Sequence, residues 1–291
     1  MSVMMAFEAL PTRVTFVLVL LVVLKCSLRA RRWTFAVLWH YMGLAAYMDW
    51  AVRSEKGEIL HKAFTGGGLF QGDRRVLDVG SGDGCNLKYI ASETTVTEIV
   101  CVEPNHVLLP ALRAAAAHAM KQRADLTVTI FAGSLAEYEA AMVVSTASGA
   151  TSQAKFDHVT CLLVLCSVGS QEDVIASAVR FMKDGTHERS SLVFLEHVCG
   201  QGLALQTIQR AVQPLWNLFG DGCCLHCDTG ACIASNAELR DPKDGKRCFR
   251  RFSIFCGLLP IICGEAIREP HRRGAMGPKI RPKMRPKSPA R

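Results

Sequence analysis

Val76-Leu-Asp-Val-Gly-Ser-Gly-Asp-Gly84 is an apolar run that breaks into a glycine-spaced turn. The apolar half reads as a buried strand, Arg75–Val79, and the residues after it open a helix at Asn86–Ala91. Gly80, Gly82 and Gly84 let the backbone turn sharply and approach a ligand. A dinucleotide fingerprint would need a third glycine where Cys85 stands. The spacing here is G-x-G-x-G, with Asp78 two residues ahead of the first glycine. That suits a ligand with a cationic amino acid end and no pyrophosphate. Glu103 ends the next strand, twenty-three residues after Gly80, where a carboxylate accepts from ribose hydroxyls.

Outward from this motif the chain alternates strand and helix. Glu98–Val102, Leu126–Phe131, Phe156–Leu165 and Ser191–Val198 read as strands. Leu108–Arg123, Leu135–Val144 and Glu172–Met182 read as helices, and 144–155 as a surface loop. Parallel strands need such helical crossovers, so the order predicts an α/β fold with a doubly wound, mostly parallel sheet.

The two ends differ from this body. Val14–Leu24 is apolar except for Thr15 and is followed by Lys25, Arg29, Arg31 and Arg32. Eleven helical residues rise about 16 Å, short of the roughly 30 Å hydrocarbon core. A signal peptide would carry its basic residues before the apolar run, not after it. The charge bias points the rest of the chain to the cytosol. Trp33–Trp50 is rich in Trp and Tyr, side chains that favour a membrane interface, so 1–50 reads as a membrane anchor, monotopic or barely spanning. The alternative is that these segments are core helices of the body.

Residues 269–291 hold eight Lys/Arg against one Glu, so nearly all of the formal +8 sits in a Pro-interrupted, disordered tail. The remaining body is near neutral, so its charge gives no sign of specific nucleic-acid binding. Thirteen cysteines in 291 residues, without the framing of a small secreted domain, read as reduced thiols.

Val76–Gly84 and Val102-Glu-Pro-Asn105 resemble the first two motifs of class I S-adenosylmethionine-dependent methyltransferases. Leu163-Val-Leu-Cys-Ser-Val168, Glu196-His-Val198 and Trp216-Asn-Leu-Phe-Gly-Asp-Gly-Cys223 resemble the methyltransferase-like protein 7 family, membrane-associated thiol S-methyltransferases. Pro260–Arg268 looks like that family's last strand. The resemblance implies a seven-stranded Rossmann-like sheet over 51–268, behind N-terminal anchor helices, with S-adenosylmethionine as cofactor. It also implies a small lipophilic acceptor, most simply an alkyl thiol, and a membrane-lipid partner on the cytosolic side of the endoplasmic reticulum or a lipid droplet. By matching positions, Asp78, Gly80, Gly82 and Gly84 would line the methionine end of the cofactor and Glu103 would hold the ribose. Ser134 and Leu135 would flank the adenine, and Leu165 and Cys166 would wall the sulfonium.

A thiol reacts as its thiolate, so a nearby base helps. His197, ending the fifth strand, is the candidate, with Asp221 to orient it or the substrate. The reading of His197 as a satisfied core or rim histidine stays open. Cys224, His226, Cys227 and Cys232 are metal-type ligands, but they crowd into one short run without a separated second pair and read as ordinary thiols. Cys166 reads as a packing residue. O- or C-methylation of a lipid or quinone-like molecule shares the same cofactor chemistry, and a non-catalytic membrane scaffold that keeps the fold is the reading from another class.

Overall fold

The computed structural model describes residues 27–66, 73–147, 155–184, 190–240 and 249–268. The apolar run Val14–Leu24, most of the 144–155 loop and the basic tail lie outside them. Two helices come first, α1 (Leu28–Ala36) and α2 (Leu44–Thr65), joined through a π-helical turn at Val37–Tyr41. The alternation then runs β1 (Arg74–Val79), α3 (Leu87–Ile90), β2 (Val96–Val102), α4 (Leu109–Gln122), β3 (Thr127–Phe131), α5 (Leu135–Ala147), β4 (His158–Leu162), α6 (Gln171–Phe181) and β5 (Ser191–His197). It closes with α7 (Leu203–Phe219), α8 (Thr229–Ser235), β6 (Leu239–Arg240), β7 (Arg250–Ile254) and β8 (Leu259–Arg268).

Strands β3-β2-β1-β4-β5 are parallel neighbours in that order, and β8 joins β5 antiparallel. The doubly wound sheet expected from the sequence is present, with eight strands among the described residues in place of seven. The chain ahead of β8 pairs with its far edge in two short stretches, β6 and β7. Successive strand residues point to opposite faces, and both faces are covered. Val76, Leu162, Val193 and Leu195 pack with Val52, Leu60 and Phe64 of α2 on one side. Leu77, Val159 and Phe194 pack with Ile175 and Phe181 of α6 on the other.

β4 is shorter than the apolar run Phe156–Leu165 suggests. Leu163 takes φ +62. The buried carboxylate of Glu196 accepts the Val164 and Leu165 N–H groups, each at 2.9 Å, which removes them from the ladder. The chain turns there into a 3-10 turn, Leu165–Ser167.

No helix among the described residues is long and apolar enough to cross a membrane. The expected anchor at 1–50 therefore gains no spanning helix over 27–50, and the boundary placed at residue 51 falls inside α2. That helix has the length, but Asp49, Lys56 and other charged residues interrupt it. Trp33–Trp50 instead packs against the carboxyl ends of the strands, the end at which doubly wound sheets hold ligands.

Candidate active site

The glycine turn is built as its sequence requires. Gly80, Gly82 and Gly84 adopt φ of +67, +59 and +87, the left-handed region open to glycine. The Gly80 and Ser81 N–H groups bond back to the Val102 carbonyl, which ties the turn to the end of β2. Glu103, one residue further, is 5% exposed. Its carboxylate accepts from the Gly82 N–H and from the Asn105 N–H, both at 2.7 Å. Burial pushes the Glu103 carboxyl up to about 7, against the downward pull of those two bonds.

The N-terminal helices close over this turn. The Trp39 indole nitrogen stands 3.7 Å from where a Gly82 β-carbon would be. His40 Nδ1 donates to Asp83 at 2.8 Å. Arg32 Nη1 donates to the Pro104 carbonyl, and Asn105 Nδ2 donates to the Arg32 carbonyl, both at 3.1 Å. From α2, the buried Lys56 ammonium donates to Asp49 at 2.8 Å and to Asn86 at 2.9 Å. Lys88 and Tyr89 bond the other oxygen of Asp49, so this buried carboxylate is held by two cations and a phenol.

At the opposite side lie Cys166, His197 and Cys223. The turn that carries Cys166 is pinned by Glu196, fully buried, whose carboxyl is pushed up to about 7 by burial. The Cys223 loop is pinned by Gln213 of α7, which donates to the Cys223 carbonyl at 2.9 Å and accepts from the Leu225 N–H at 2.6 Å. The Cys224 N–H donates to the Cys166 carbonyl at 2.7 Å, joining loop to turn. His197 Nε2 donates to the Cys224 carbonyl at 2.8 Å. Cys223 Sγ lies 3.7 Å from Cys166 Sγ and 3.7 Å from His197 Nδ1.

The glycine turn, the N-terminal helices and the Cys166–His197–Cys223 group border one cavity of about 500 Å³. Of the residues singled out in the sequence, Gly80, Gly82, Glu103, Cys166, His197 and Asp221 line it. Asp78, Gly84, Ser134, Leu135 and Leu165 do not line it. Asp78 lies under the turn, fully buried, accepting from Thr160 Oγ1 at 2.6 Å. Gly84 backs onto α4, where a β-carbon would meet Ala115 at 2.7 Å. Ser134 caps α5, exchanging bonds with Glu137, and Leu135 and Leu165 belong to the core.

Asp221 does not orient His197. Its φ of +47 turns it to the ribose end, where it accepts from Asn105 Nδ2 at 3.3 Å. The backbone carbonyl of Cys224 does the orienting instead. The rival cluster at 223–232 does not converge: Cys232 bonds Glu172, Cys227 bonds the Cys224 carbonyl, and His226 is exposed. Sequence reasoning missed Lys56, Asn105, Glu196 and Cys223. Asn105, Glu196 and Cys223 each stood in a quoted motif stretch without being given a role, and Lys56 carried no signal.

Residues 77–187 match the methyltransferase domain family. The chain is 31% identical over 155 residues to a thiol S-methyltransferase, TMT1B, of Rattus norvegicus, covering 53% of this chain and 55% of that protein. It is 28% identical over 153 residues to the Homo sapiens thiol S-methyltransferase TMT1A, covering 52% and 54%. The chain thus spans about half the length of these curated relatives. Among solved structures, the YcgJ protein of Bacillus subtilis superposes with a TM-score of 0.50 at 12% identity, over 74% of this chain and 99% of that one, a likeness of fold.

Strand order, glycine turn and acid-ended second strand define a class I S-adenosylmethionine-dependent methyltransferase domain. Within that class the curated relatives it resembles, over about half their length, are thiol S-methyltransferases.

The donor that such a domain implies, S-adenosylmethionine, suits the residues present. Gly80 and Gly82 bring bare backbone to the cavity, and at Gly82 only the Trp39 indole nitrogen, among the described residues, lies within 4 Å of a would-be β-carbon. Glu103 offers a buried acceptor for ribose hydroxyls, and Lys56 offers a cation for the amino acid carboxylate. The volume is within the usual range for a small-molecule site.

Proposed function

We propose that this protein transfers the methyl group of S-adenosylmethionine to the sulfur of a small lipophilic thiol. The observation that carries the reading is the single cavity, which joins the glycine turn and Glu103 at one side to Cys166, His197 and Cys223 at the other. The donor supplies an already activated methyl on a sulfonium, so the protein's task is alignment and removal of the acceptor's proton. Glu103, positioned by the Asn105 N–H, holds the ribose end, Lys56 the carboxylate end, and the turn after β4 sets the wall beside the sulfonium. The acceptor thiolate forms the new sulfur–carbon bond as the methyl–sulfonium bond breaks, leaving a thioether and S-adenosylhomocysteine. With Nε2–H committed to the Cys224 carbonyl, His197 Nδ1 is the ring nitrogen able to accept a proton, 3.7 Å from Cys223 Sγ.

The cavity's outer rim supports a lipid-facing position for the protein. Trp33, Tyr47, Trp50, Phe255 and Leu258 are exposed, with Tyr47 and Phe255 ring centroids 5.1 Å apart. Ile208, Val212 and Leu215 form an exposed apolar stripe on α7, which packs beside α1. Large exposed apolar patches mark partner or membrane contact. Following the apolar run Val14–Leu24, this rim would lie against a bilayer, where lipophilic acceptors concentrate.

The test is calorimetry of the full chain with S-adenosylhomocysteine, followed by methyl transfer to paired alkyl thiols and phenols. Binding that is lost in Glu103→Ala, with turnover confined to thiols, supports the reading. Turnover of phenols alone moves the acceptor to oxygen. No binding by a folded chain leaves the scaffold reading.

A further inference from the structure

The geometry points to a zinc site made by Cys166, His197 and Cys223, with its fourth position open to the cavity for the acceptor's sulfur. This rests on the thiol-transfer reading and states how that site makes a thiolate. The three side chains come from three separate places in the chain: the turn after β4, the end of β5 and the loop after α7. Their ligand atoms all lie within 4.8 Å of one another. Two edges of the triangle are 3.7 Å, one between the sulfurs and one between Cys223 Sγ and His197 Nδ1. A zinc ion bonding each sulfur at about 2.3 Å and a nitrogen at about 2.0–2.1 Å in a tetrahedron needs edges of about 3.8 and 3.6 Å.

The outer contacts of the triangle match those of a metal site. A carbonyl oxygen only accepts, so the 2.8 Å contact with the Cys224 carbonyl puts the His197 proton on Nε2. Nδ1 is then the lone-pair nitrogen; Cys223 Sγ lies 3.7 Å from it and 3.9 Å from Nε2, so closing on an ion takes a turn of the Cys223 side chain toward the Nδ1 lone pair. Metal-ligating histidines commonly fix their tautomer by such a bond from the other nitrogen. Each cysteine is held from behind as well: Glu196 accepts the N–H groups at Val164 and Leu165, next to Cys166, and Gln213 brackets Cys223. None of these bonds uses a ligand atom. Thiolate and imidazole donors select zinc over hard cations such as magnesium or calcium.

Three protein ligands and one open position is the arrangement of catalytic rather than structural zinc. On binding the ion, Cys166 and Cys223 each give up a proton to solvent. An acceptor thiol that takes the fourth position loses its proton likewise, because a metal-coordinated thiol is held as thiolate. Its sulfur then attacks the methyl carbon of the donor, and the neutral thioether that results is a weaker ligand and leaves.

The experiment uses the full chain, purified with a phosphine reductant and without chelators. Elemental analysis by mass spectrometry is expected to find one zinc per chain that survives desalting. Exchange with cobalt(II) should give the intense thiolate-to-cobalt charge-transfer absorption of a tetrahedral site, and an added alkyl thiol should perturb it. Cys223→Ser and His197→Gln should each lower cobalt affinity at least tenfold while S-adenosylhomocysteine still binds, and Cys232→Ser should leave the spectrum unchanged. A reduced, folded protein that holds no zinc and takes no cobalt overturns the proposal. So does metal that persists unchanged in Cys223→Ser, or a Cys166–Cys223 disulfide as the state of the active enzyme. Thiol methylation by demonstrably metal-free protein would leave the methyltransferase reading standing, with His197 Nδ1 as direct proton acceptor, and remove zinc alone.

Discussion

Val164 closes over Gly80 so tightly that a β-carbon on Gly80 would lie 2.2 Å from Val164 Cγ2. The turn after β1 and the turn after β4 therefore meet through a missing side chain, and the cavity opens along the line where they meet. Two constraints coincide at Gly80, since its φ of +67 is also left-handed.

Gly80→Ala is expected to cost about 2–4 kcal/mol of stability, from a left-handed alanine and an overpacked contact, and to weaken S-adenosylhomocysteine binding. Gly57, inside α2, has nothing within 4 Å of its would-be β-carbon. Gly57→Ala should stabilise by about 0.5–1 kcal/mol, the helical cost of glycine. Denaturant unfolding of both variants reads the contrast, and similar effects at both positions would mean that Val164 gives way.

Glu103 predicts a pH dependence of cofactor affinity. Burial raises its carboxyl to about 7 in the ligand-free protein. Ribose hydroxyls that donate to it favour the charged form, so binding lowers this pKa and releases a proton below pH 7. Affinity for S-adenosylhomocysteine should rise with pH up to about 7, by at most about tenfold per unit, and level off above it. Calorimetry in buffers of different ionisation heat checks the proton release. Glu103→Gln should bind more weakly and show no step near 7, and a step that survives this change would belong to another group.

Lys56 is buried against Asp49 and Asn86 and also faces the cavity. Lys56→Met should cost about 1–3 kcal/mol of stability, because Asp49 keeps Lys88 and Tyr89 but loses one partner. It should also reduce S-adenosylhomocysteine affinity at least tenfold. 5′-Methylthioadenosine, which lacks the amino acid end, should bind as before. Equal losses for the two ligands would place Lys56 in the fold alone.

The exposed rim predicts lipid binding. Flotation of the full chain with anionic vesicles should be reduced several-fold by the double change Trp50→Glu and Phe255→Glu, while S-adenosylhomocysteine still binds. High salt should weaken it further, since Arg29, Arg31 and Arg32 each add about 1 kcal/mol near an anionic surface. Unchanged flotation would remove the aromatic rim from the membrane contact.

The sheet was legible in the sequence because parallel strands covered on both faces read as continuous apolar runs, and the glycine turn punctuates the first of them. Gly80, Gly82 and Glu103 could be placed from spacing alone, since strand ends and the turn between them are local features. Trp33–Trp50 could not be placed, because aromatic and apolar side chains suit a cavity wall and a membrane interface equally. Trp39 beside Gly82 and His40 on Asp83 make its inner side a cavity wall, through contacts across some forty residues, while Trp33 and Trp50 stay exposed. Asp221 was paired with His197 because both end elements on the same side of the sheet. The left-handed backbone at Asp221 sends its carboxylate to Asn105 instead. Cys166 and Cys223, separated by fifty-seven residues, meet only through tertiary packing, which one sequence does not display.

The wall contributed by residues 28–50 has two sides, and its inner side is part of the donor cavity. A ligand on the inner side and a surface on the outer side would touch the same wall, and any coupling between them is reciprocal. If a bilayer tightens S-adenosylmethionine by some factor, S-adenosylmethionine tightens the hold on the bilayer by the same factor. The chain would then sense donor supply through its attachment, staying on the surface when charged and loosening when depleted. Residues 77–187, cut out alone, would lack that wall and with it this reciprocity.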